Sequence, residues 1–379
     1  MSLQLNGTAG VTYNDGSNQP AAASPYVLKN LIINGDMRIA QRGTSVTGVT
    51  ANGYYAVDRM LSSINSAGTW TISQDTDVPS GQGFSYSYKY DCTTANASLS
   101  SGSYLMMEQR FEGQNLQHLK KGTSSAESIT LSFWVKSNKT GTYVVLFLDS
   151  DNSRSISKSY SIDSANTWEK KTITVAGDTV GAFNNDNSRS LDVKFIHSAG
   201  TDWTSGTLNT SWNSDVLANR AAGLTVNLAD STSNYINITG VQLEIGDTAT
   251  PFENRMYSQE LAMCQRYYYK IISGGAGYSR FQSGFVANTT TTSGITYFPV
   301  IMRTRPTALE TSGTTGDYAV VYAATAALCT SIPVYSITTS NSQGVVAFTT
   351  NAVLTVGHGI MNSSSSGNAN AYLAWSAEL

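Results

Sequence analysis

The chain has 379 residues, too many for one ordinary β-sandwich, so we expect two compact domains and a terminal arm. Charged residues make up only 13% and the formal net charge is -3, which argues against the basic surface that nucleic-acid binding requires. Apolar residues make up 40%, which is enough for packed cores and argues against a disordered chain.

Residues 1–28 are predicted to form an arm and a linker. Short apolar segments there are separated by the turn-forming pairs Asn6-Gly7 and Asp15-Gly16 and are followed by small residues and prolines. The first seven residues lack the basic and apolar regions of a secretory signal, and no apolar run reaches membrane-spanning length. We therefore expect neither classical secretion nor membrane insertion.

From residue 29 to residue 253, apolar and polar residues alternate with the period of half-buried β-strands. The run from Tyr143 to Leu148 is instead apolar throughout, which predicts a central strand buried on both faces. The strand spacing and the turn-rich connections predict a β-sandwich. The alternating sets are Phe84, Tyr86, Tyr88 and Tyr90; Ile129, Leu131, Phe133 and Val135; Leu191, Val193 and Phe195; and Leu224, Val226 and Leu228.

The last strand of this domain changes its pattern at Gly240. Apolar residues occupy positions 236 and 238 before this glycine and positions 241, 243 and 245 after it. A β-bulge inserts one extra residue and so allows both sets to face the core, which predicts a bulge at Gly240.

Residues 254–272 are predicted to form a short helical connector with Asn254 as its N-cap. Since one helix of this length is marginally stable alone, its apolar stripe must pack against something, and a three-fold axis is one candidate. We assign this stripe as a candidate homotrimer interface. Its residues recur at spacings of 4, 3 and 4, as in a coiled coil: Tyr257, Leu261, Cys264 and Tyr268.

Beyond Ser273-Gly274-Gly275 the chain returns to short strand patterns, which predict a second, smaller β-sandwich over residues 273–379. No fixed repeat runs through the sequence, which argues against a solenoid, a propeller or a β-helix. The predicted strands cover residues 295–302, 318–322, 345–349, 353–356 and 372–375.

The sequence carries none of the common catalytic or phosphate-binding signatures, since GxSxG, HExxH and GxxxxGK[ST] are all missing. The three cysteines and three histidines lack metal-ligand spacing, so no metal or cofactor is expected. Glycoside hydrolysis needs a carboxylate pair in which one pKa is raised, and solvated loop acids are the alternative interpretation. The acids considered are Glu112, Glu127, Glu244 and Asp247, and no catalytic residue is assigned.

Two tryptophans, Trp203 and Trp212, lie in a polar, loop-like segment, and exposed aromatic rings often serve as platforms for sugars. We assign them as candidate carbohydrate-binding residues, with anchoring in the core as the alternative. Trp70, Trp134 and Trp168 lie in strand-like runs and are predicted to be core residues.

The segment Asn30-Leu-Ile-Ile-Asn-Gly-Asp-Met-Arg-Ile-Ala-Gln-Arg42 resembles the opening of a module found in tail fibres and other virion structural proteins of tailed phages. Matches continue in the same order, so the resemblance covers residues 30–270, and residues 298–307 resemble the start of a fibre-tip domain. The further matches are Glu108-Gln-Arg-Phe-Glu-Gly113, Leu131-Ser-Phe-Trp-Val-Lys136, Gly240-Val-Gln-Leu-Glu-Ile-Gly246, Thr250-Pro-Phe-Glu253 and residues 260–269.

The resemblance implies an all-β protein with a jelly-roll domain like a carbohydrate-binding module at residues 29–253, the helical connector at 254–272 and a β tip domain at 273–379. It also implies a homotrimer that is assembled in the host cytoplasm and joined to other tail or capsid proteins through residues 1–28. The implied function is a non-enzymatic tail-fibre or spike subunit that contacts host-surface polysaccharide during adsorption. A capsid-attached head fibre or decoration protein is the first alternative, and a glycan depolymerase is the second. The resemblance transfers no binding or catalytic residue.

Overall fold

The computed structural model describes residues 29–323 and 325–379, together with the backbone of three short strands before them. These strands, β1 (Gln4–Asn6), β2 (Gly10–Thr12) and β3 (Asn18–Gln19), pair antiparallel in that order. The predicted arm and linker at residues 1–28 otherwise lie outside the described residues. Strands dominate the rest of the chain, which confirms the predicted all-β fold.

The N-terminal domain is a sandwich of two antiparallel sheets. The first sheet consists of β4 (Ser45–Val49), β7 (Thr69–Asp75), β8 (Ser87–Thr94), β10 (Ile129–Ser137), β13 (Glu169–Val175) and β16 (Tyr235–Ile245). The second consists of β5 (Gly53–Tyr54), β6 (Leu61–Asn65), β9 (Tyr104–Glu112), β11 (Gly141–Asp149), β12 (Arg154–Ile162), β14 (Arg189–Ala199) and β15 (Asn213–Ser214). Their strand orders are β13-β10-β16-β8-β7-β4 and β15-β12-β11-β14-β9-β6-β5.

The main hydrophobic core lies between the two sheets. Phe133 of β10 and its alternate neighbours along the strand are buried there, as the alternation predicts. Strand β11 is buried on both faces, because Val145 and Phe147 join the main core while Val144 and Leu146 join a second cluster outside the seven-stranded sheet. The predicted central strand is therefore confirmed.

Two predicted strands are wrong, and the one predicted at residues 295–302 is a strand only as far as Tyr297. Residues 224–228 form a loop that enters a 3-10 turn, and the Asn227 side chain accepts a hydrogen bond from the Ala229 amide at its start. Leu228 is still fully buried, so the alternation there reflects burial without a strand. Residues 353–356 also form no strand, and Val353 is 86% exposed.

Helical structure is sparse. The α-helices are α1 (Thr201–Thr204) and α2 (Tyr257–Gln265), and the 3-10 turns cover Gly113–Asn115, Gln117–Leu119, Leu217–Asn219, Leu228–Asp230 and Thr315–Asp317. Within the described ranges, no helix is long and apolar enough to cross a membrane.

The predicted stripe of Tyr257, Leu261, Cys264 and Tyr268 does not lie on one helix. Helix α2 begins after Met256, not at Asn254, and it ends before Tyr268, which opens the next strand. Cys264 and Tyr268 are buried inside the chain, so a second chain cannot reach them. Tyr257 is exposed and Leu261 is half-buried. A three-fold contact along the whole stripe is therefore wrong.

The C-terminal domain packs a three-stranded sheet against a seven-stranded sheet around a second core. The small sheet consists of β17 (Tyr268–Ile272), β20 (Glu310–Thr311) and β26 (Tyr372–Ser376), in the order β17-β26-β20. The large sheet consists of β18 (Arg280–Val286), β19 (Thr291–Tyr297), β21 (Tyr318–Tyr322), β22 (Thr325–Leu328), β23 (Val334–Tyr335), β24 (Gln343–Thr349) and β25 (Gly359–Ser364). Its order is β22-β21-β25-β18-β19-β24-β23.

Polar contacts join the two domains. The Arg303 guanidinium donates to the main-chain oxygens of Ala377 and Glu378 at 2.7 Å and of Asn187 at 2.8 Å. The Tyr267 hydroxyl donates to Glu112 Oε1 at 2.5 Å. The last residues of the chain are therefore held against the sandwich.

Candidate functional site

Trp203 and Trp212 do not form a surface pair. Trp203 lies on α1 with 8% of its surface exposed, and it packs in the cluster outside the seven-stranded sheet. Its ring contacts Tyr104 edge to face, and the Arg220 guanidinium lies 5.2 Å from the ring centroid. Because the Trp203 side chain is almost fully buried, it anchors the loop and offers no platform for a sugar.

Trp212 belongs to a different part of the sandwich. It is half-buried against the main core, and its Nε1 donates to the Ala176 main-chain oxygen at 2.8 Å. It lines an open recess of about 400 Å³ together with Arg154 and Asp178. Arg154 and Asp178 are paired with each other, at 2.7 Å and 3.0 Å, so these charges are engaged within the chain.

A larger aromatic cleft lies on the outer face of the six-stranded sheet, where β10, β13 and β16 run side by side. It encloses about 450 Å³. The strand register places Trp134 of β10 beside Lys170 of β13, so these two side chains project from the same face and both line the cleft. Ser132 lies two residues before Trp134 and lines the same cleft. The cleft thus combines a broad apolar ring with hydroxyl and ammonium groups.

The opposite wall of the cleft consists of two phenylalanines. The rings of Phe84 and Phe252 meet edge to face with centroids 5.1 Å apart, and both are half-buried. Phe84 lies over Gly240, where a β carbon would come within 2.5 Å of Phe84 Cζ. The register between β10 and β16 shifts at this point and the φ angle of Gly240 is +61°, which confirms the predicted bulge.

Two buried side chains hold the loop that carries Phe252. Gln242 Oε1 accepts from the Glu253 amide at 2.8 Å. Glu244 accepts from the Thr250 amide at 2.9 Å and from the Thr250 hydroxyl at 2.6 Å. Since these groups are satisfied within the chain, the wall is fixed before any ligand arrives.

A second recess of about 430 Å³ adjoins the aromatic cleft, because Asn254 lines both. Tyr86 and Tyr257 contribute further aromatic surface to it, and Asp36 and Arg38 form an ion pair at its edge. Burial raises the pKa of the Asp36 carboxyl, and the neighbouring Arg38 opposes that shift. Together the two recesses have the volume of an extended ligand site.

Three of the four acids considered for hydrolysis are used in structural contacts, namely Glu112, Glu127 and Glu244. Burial alone would raise the pKa of Glu112, but hydrogen bonds from Arg266 and Tyr267 hold it below its ordinary value. A general acid for glycoside cleavage needs the opposite shift. Glu244 is tied to the Thr250 loop, and Glu127 pairs with Lys120 on the surface.

Within residues 29–323 and 325–379, no group of three or more His, Cys, Asp or Glu side chains is placed to hold a metal ion. One oxygen-lined position is instead filled by a lysine. Lys121 Nζ lies 2.6 Å from an Asp149 oxygen and 3.1 Å from an Asp178 oxygen. It also donates to the main-chain oxygens of Val180 at 2.8 Å and Gly181 at 2.6 Å. Its ammonium group thus supplies the positive charge there.

The residues that carry the phage-module resemblance hold the fold together. The Gln109 side chain forms two hydrogen bonds with the Ile33 backbone, as a neighbouring strand would. Its Nε2 donates to the Ile33 oxygen and its Oε1 accepts from the Ile33 amide, both at 2.8 Å. The Asn34 side chain exchanges hydrogen bonds with the Ile39 backbone at 2.9 Å. Arg255 forms an ion pair with Glu260 in α2 at 3.3 Å and is itself buried. These residues are therefore needed for hydrogen bonds and an ion pair within the chain, and no ligand is required to account for them.

The prediction that Trp134 and Phe84 lie in the core is wrong. Trp134 lies between Phe133 and Val135, which both face the core, so the alternation itself directs Trp134 outward. Phe84 precedes β8 and is not bound by the alternation of that strand. Trp168 is also half-buried, whereas Trp70 is fully buried as predicted.

No family model matches the chain, and a comparison with curated proteins finds no relative. Several solved structures are similar over part of it. The enzymatically active domain of tailspike protein 4 from bacteriophage CBA120 is 16% identical over 59% of this chain and 22% of that chain, with a TM-score of 0.30. This chain therefore spans about a fifth of that tailspike domain.

Two carbohydrate-binding modules are also similar. TmCBM61 in complex with β-1,4-galactotriose is 10% identical over 57% of this chain and 99% of that chain, with a TM-score of 0.28. A family 11 module of a Clostridium thermocellum cellulase is 10% identical over 54% of this chain and 96% of that chain, with a TM-score of 0.25. Similarity at this level does not indicate a function for this chain.

Proposed function

We propose that this chain binds glycans through the aromatic cleft on its six-stranded sheet and does not cleave them. The observation that carries the proposal is the position of Trp134, a broad ring beside Lys170 and Ser132 in an open cleft. A sugar ring has apolar C–H faces and a rim of hydroxyl groups, so an aromatic ring with polar neighbours matches both parts.

The size of the site favours an oligosaccharide over a single sugar. The aromatic cleft encloses about 450 Å³ and its neighbour about 430 Å³, and the two share Asn254. Purified protein should therefore be retarded in gels that contain host-surface polysaccharide and should bind longer oligosaccharides more tightly than monosaccharides. Equal mobility with and without polysaccharide from every candidate host would count against glycan binding.

The particle role is the second part of the proposal. The motifs at residues 30–270 resemble those of tailed-phage virion proteins, which supports a homotrimeric tail-fibre or spike subunit joined to the particle through residues 1–28. Host-surface polysaccharide would then be its receptor during adsorption. Antibodies against the C-terminal domain should label the tail of the particle in electron micrographs. Labelling of the capsid instead would favour the head-fibre or decoration alternative.

A non-catalytic role is supported by the structural use of Glu112 and Glu244. Both carboxylates accept several hydrogen bonds from neighbouring side chains and lie away from solvent. Incubation of the protein with the polysaccharide it binds should release no reducing ends. Release that is lost in a carboxylate variant would establish the depolymerase alternative.

A further inference from the structure

The large sheet of the C-terminal domain has a second face that the described chain leaves uncovered except at Val345, which is buried. One face packs on the C-terminal core, where Phe281, Val320 and Phe348 are buried. On the other face, the strand register aligns side chains into two continuous rows. The first row is Val321, Met361, Ser283, Ile295 and Val345, and the second is Gly359, Phe285, Ser293, Ala347 and Val334.

The exposed face is apolar and almost without charge. Phe285 is 52% exposed and Val334 is 53% exposed, and Met361 and Ile295 are also exposed. In the seven strands of this sheet, Arg280 is the one charged residue. Apolar faces of this kind on soluble chains mark interaction surfaces.

The extent of the face approaches what a stable association needs. Seven strands spaced about 4.8 Å apart, each about five residues long at about 3.3 Å per residue, give a flat area of about 500 Å². Further exposed apolar side chains lie in the connections next to the sheet, Ile337 after β23 and Val356 before β25. A specific interface buries about 800 Å² on each partner.

We propose that copies of this chain associate through this face. Two uncharged faces meet without like-charge repulsion, whereas a polyanionic or strongly charged partner would find no complementary charge here. Sheets that pack face to face also bury alternate side chains such as Phe285 and Ile295 efficiently. The contact takes the place of the α2 stripe, in which Cys264 and Tyr268 are already buried. The proposal does not depend on glycan binding.

Sedimentation equilibrium of the full chain tests the proposal. The wild-type protein should sediment as a multiple of its 40.5 kDa chain mass, because the proposed contact joins one copy of the chain to another. The double substitution Phe285→Lys and Met361→Lys places charges in adjacent rows and should return the mass to that of one chain. Because both side chains are exposed, the far-ultraviolet circular dichroism spectrum should not change.

Val216→Lys is the matched control, since Val216 is a similarly exposed apolar residue in the other domain. It should leave the wild-type mass unchanged. If the double variant fails to fold, Ile295→Ser supplies a milder test and should weaken association at least tenfold. A single-chain mass for the wild type at 50 µM, or a multimer unaffected by both face variants, would overturn the proposal. A dimer that the face variants dissociate would support this face and reject the trimer.

Discussion

Arg59 of the sandwich and Glu378 of the C-terminal domain form an ion pair whose side chains are only 1% and 6% exposed. The Arg59 guanidinium also lies 3.5 Å from the centroid of the Tyr267 ring and donates to the Arg110 main-chain oxygen at 2.7 Å. Because a buried charge without its partner is costly, this pair ties the docking of the two domains to their stability.

The substitution Glu378→Gln should therefore lower the free energy of unfolding by about 3–5 kcal/mol, because it leaves the Arg59 charge buried and uncompensated. Chemical denaturation followed by tryptophan fluorescence measures this loss. Glu127→Gln is the control, since the Glu127–Lys120 pair is exposed and should contribute at most about 1 kcal/mol. Similar losses in the two variants would show that the Arg59–Glu378 contact does not hold the domains together.

Gly240→Ala should lower the stability of the protein and change the shape of the aromatic cleft. The positive φ angle of Gly240 is unfavourable for alanine by about 1–2 kcal/mol, and the added methyl group would displace Phe84. Gly48→Ala is a matched control, because Gly48 lies in the same sheet at a φ angle of +73° with no atom within 4 Å of the added methyl group.

Both glycine variants should lose stability in thermal melts, but only Gly240→Ala should weaken polysaccharide binding. Unchanged binding by Gly240→Ala would mean that the position of Phe84 is unimportant to the cleft.

His197 should make stability depend on pH. Burial lowers the pKa of His197 to about 3, and its ring packs near Tyr90 with neither nitrogen hydrogen-bonded. The unfolded chain takes up this proton below about pH 6.5 and the folded chain does not, so acid favours unfolding. The free energy of unfolding should fall by about 1.4 kcal/mol per pH unit from this residue between about pH 6 and pH 4.

His197→Phe should remove that component and raise stability at pH 7 by about 1–3 kcal/mol, since no buried polar nitrogen remains. Urea denaturation curves at pH 7 and pH 5 should be compared for the variant and the wild type. Because the carboxylates titrate equally in both proteins, any difference in the pH dependence of the free energy of unfolding comes from His197. Parallel losses of stability in the two proteins would contradict the assignment.

Substitution of the two loop tryptophans, Trp203 and Trp212, should affect stability and not glycan binding. Trp203→Ala removes a buried side chain and should cost about 3–5 kcal/mol of stability. Trp212→Ala should cost less because Trp212 is half-buried. Neither should change glycan affinity more than twofold at a temperature where the variant is folded, as measured by isothermal titration calorimetry. Loss of binding in Trp212→Ala would indicate that the glycan binds in the recess lined by Trp212 and Arg154 and not in the aromatic cleft.

The fold was largely predictable because alternation reports which side of a strand is buried. Phe133 and its neighbours, the doubly buried β11 and the bulge at Gly240 all follow from the order of apolar residues alone. The same signal was misleading at Leu228, where burial occurs without a strand, and at Cys264 and Tyr268, whose spacing continues across the end of α2.

The site was less predictable because it depends on residues far apart in the chain. Trp134 could have been identified from its alternation, since its two neighbours face the core. The other wall needs Phe84, Gly240 and Phe252 to meet, and that depends on sheet order and on the hydrogen bonds of Gln242 and Glu244. No local pattern contains this information.

The most direct test of the glycan-binding proposal is the affinity of Trp134→Ala for the host-surface polysaccharide that the wild type binds. Removing the ring should weaken binding at least tenfold, a loss of about 1.4 kcal/mol or more, at a temperature where the variant is folded. Trp212 is a half-buried tryptophan outside the cleft, so the Trp212→Ala variant is the control. Its affinity for the polysaccharide should stay within twofold of the wild-type affinity. Equal affinity of Trp134→Ala and wild type would contradict the account.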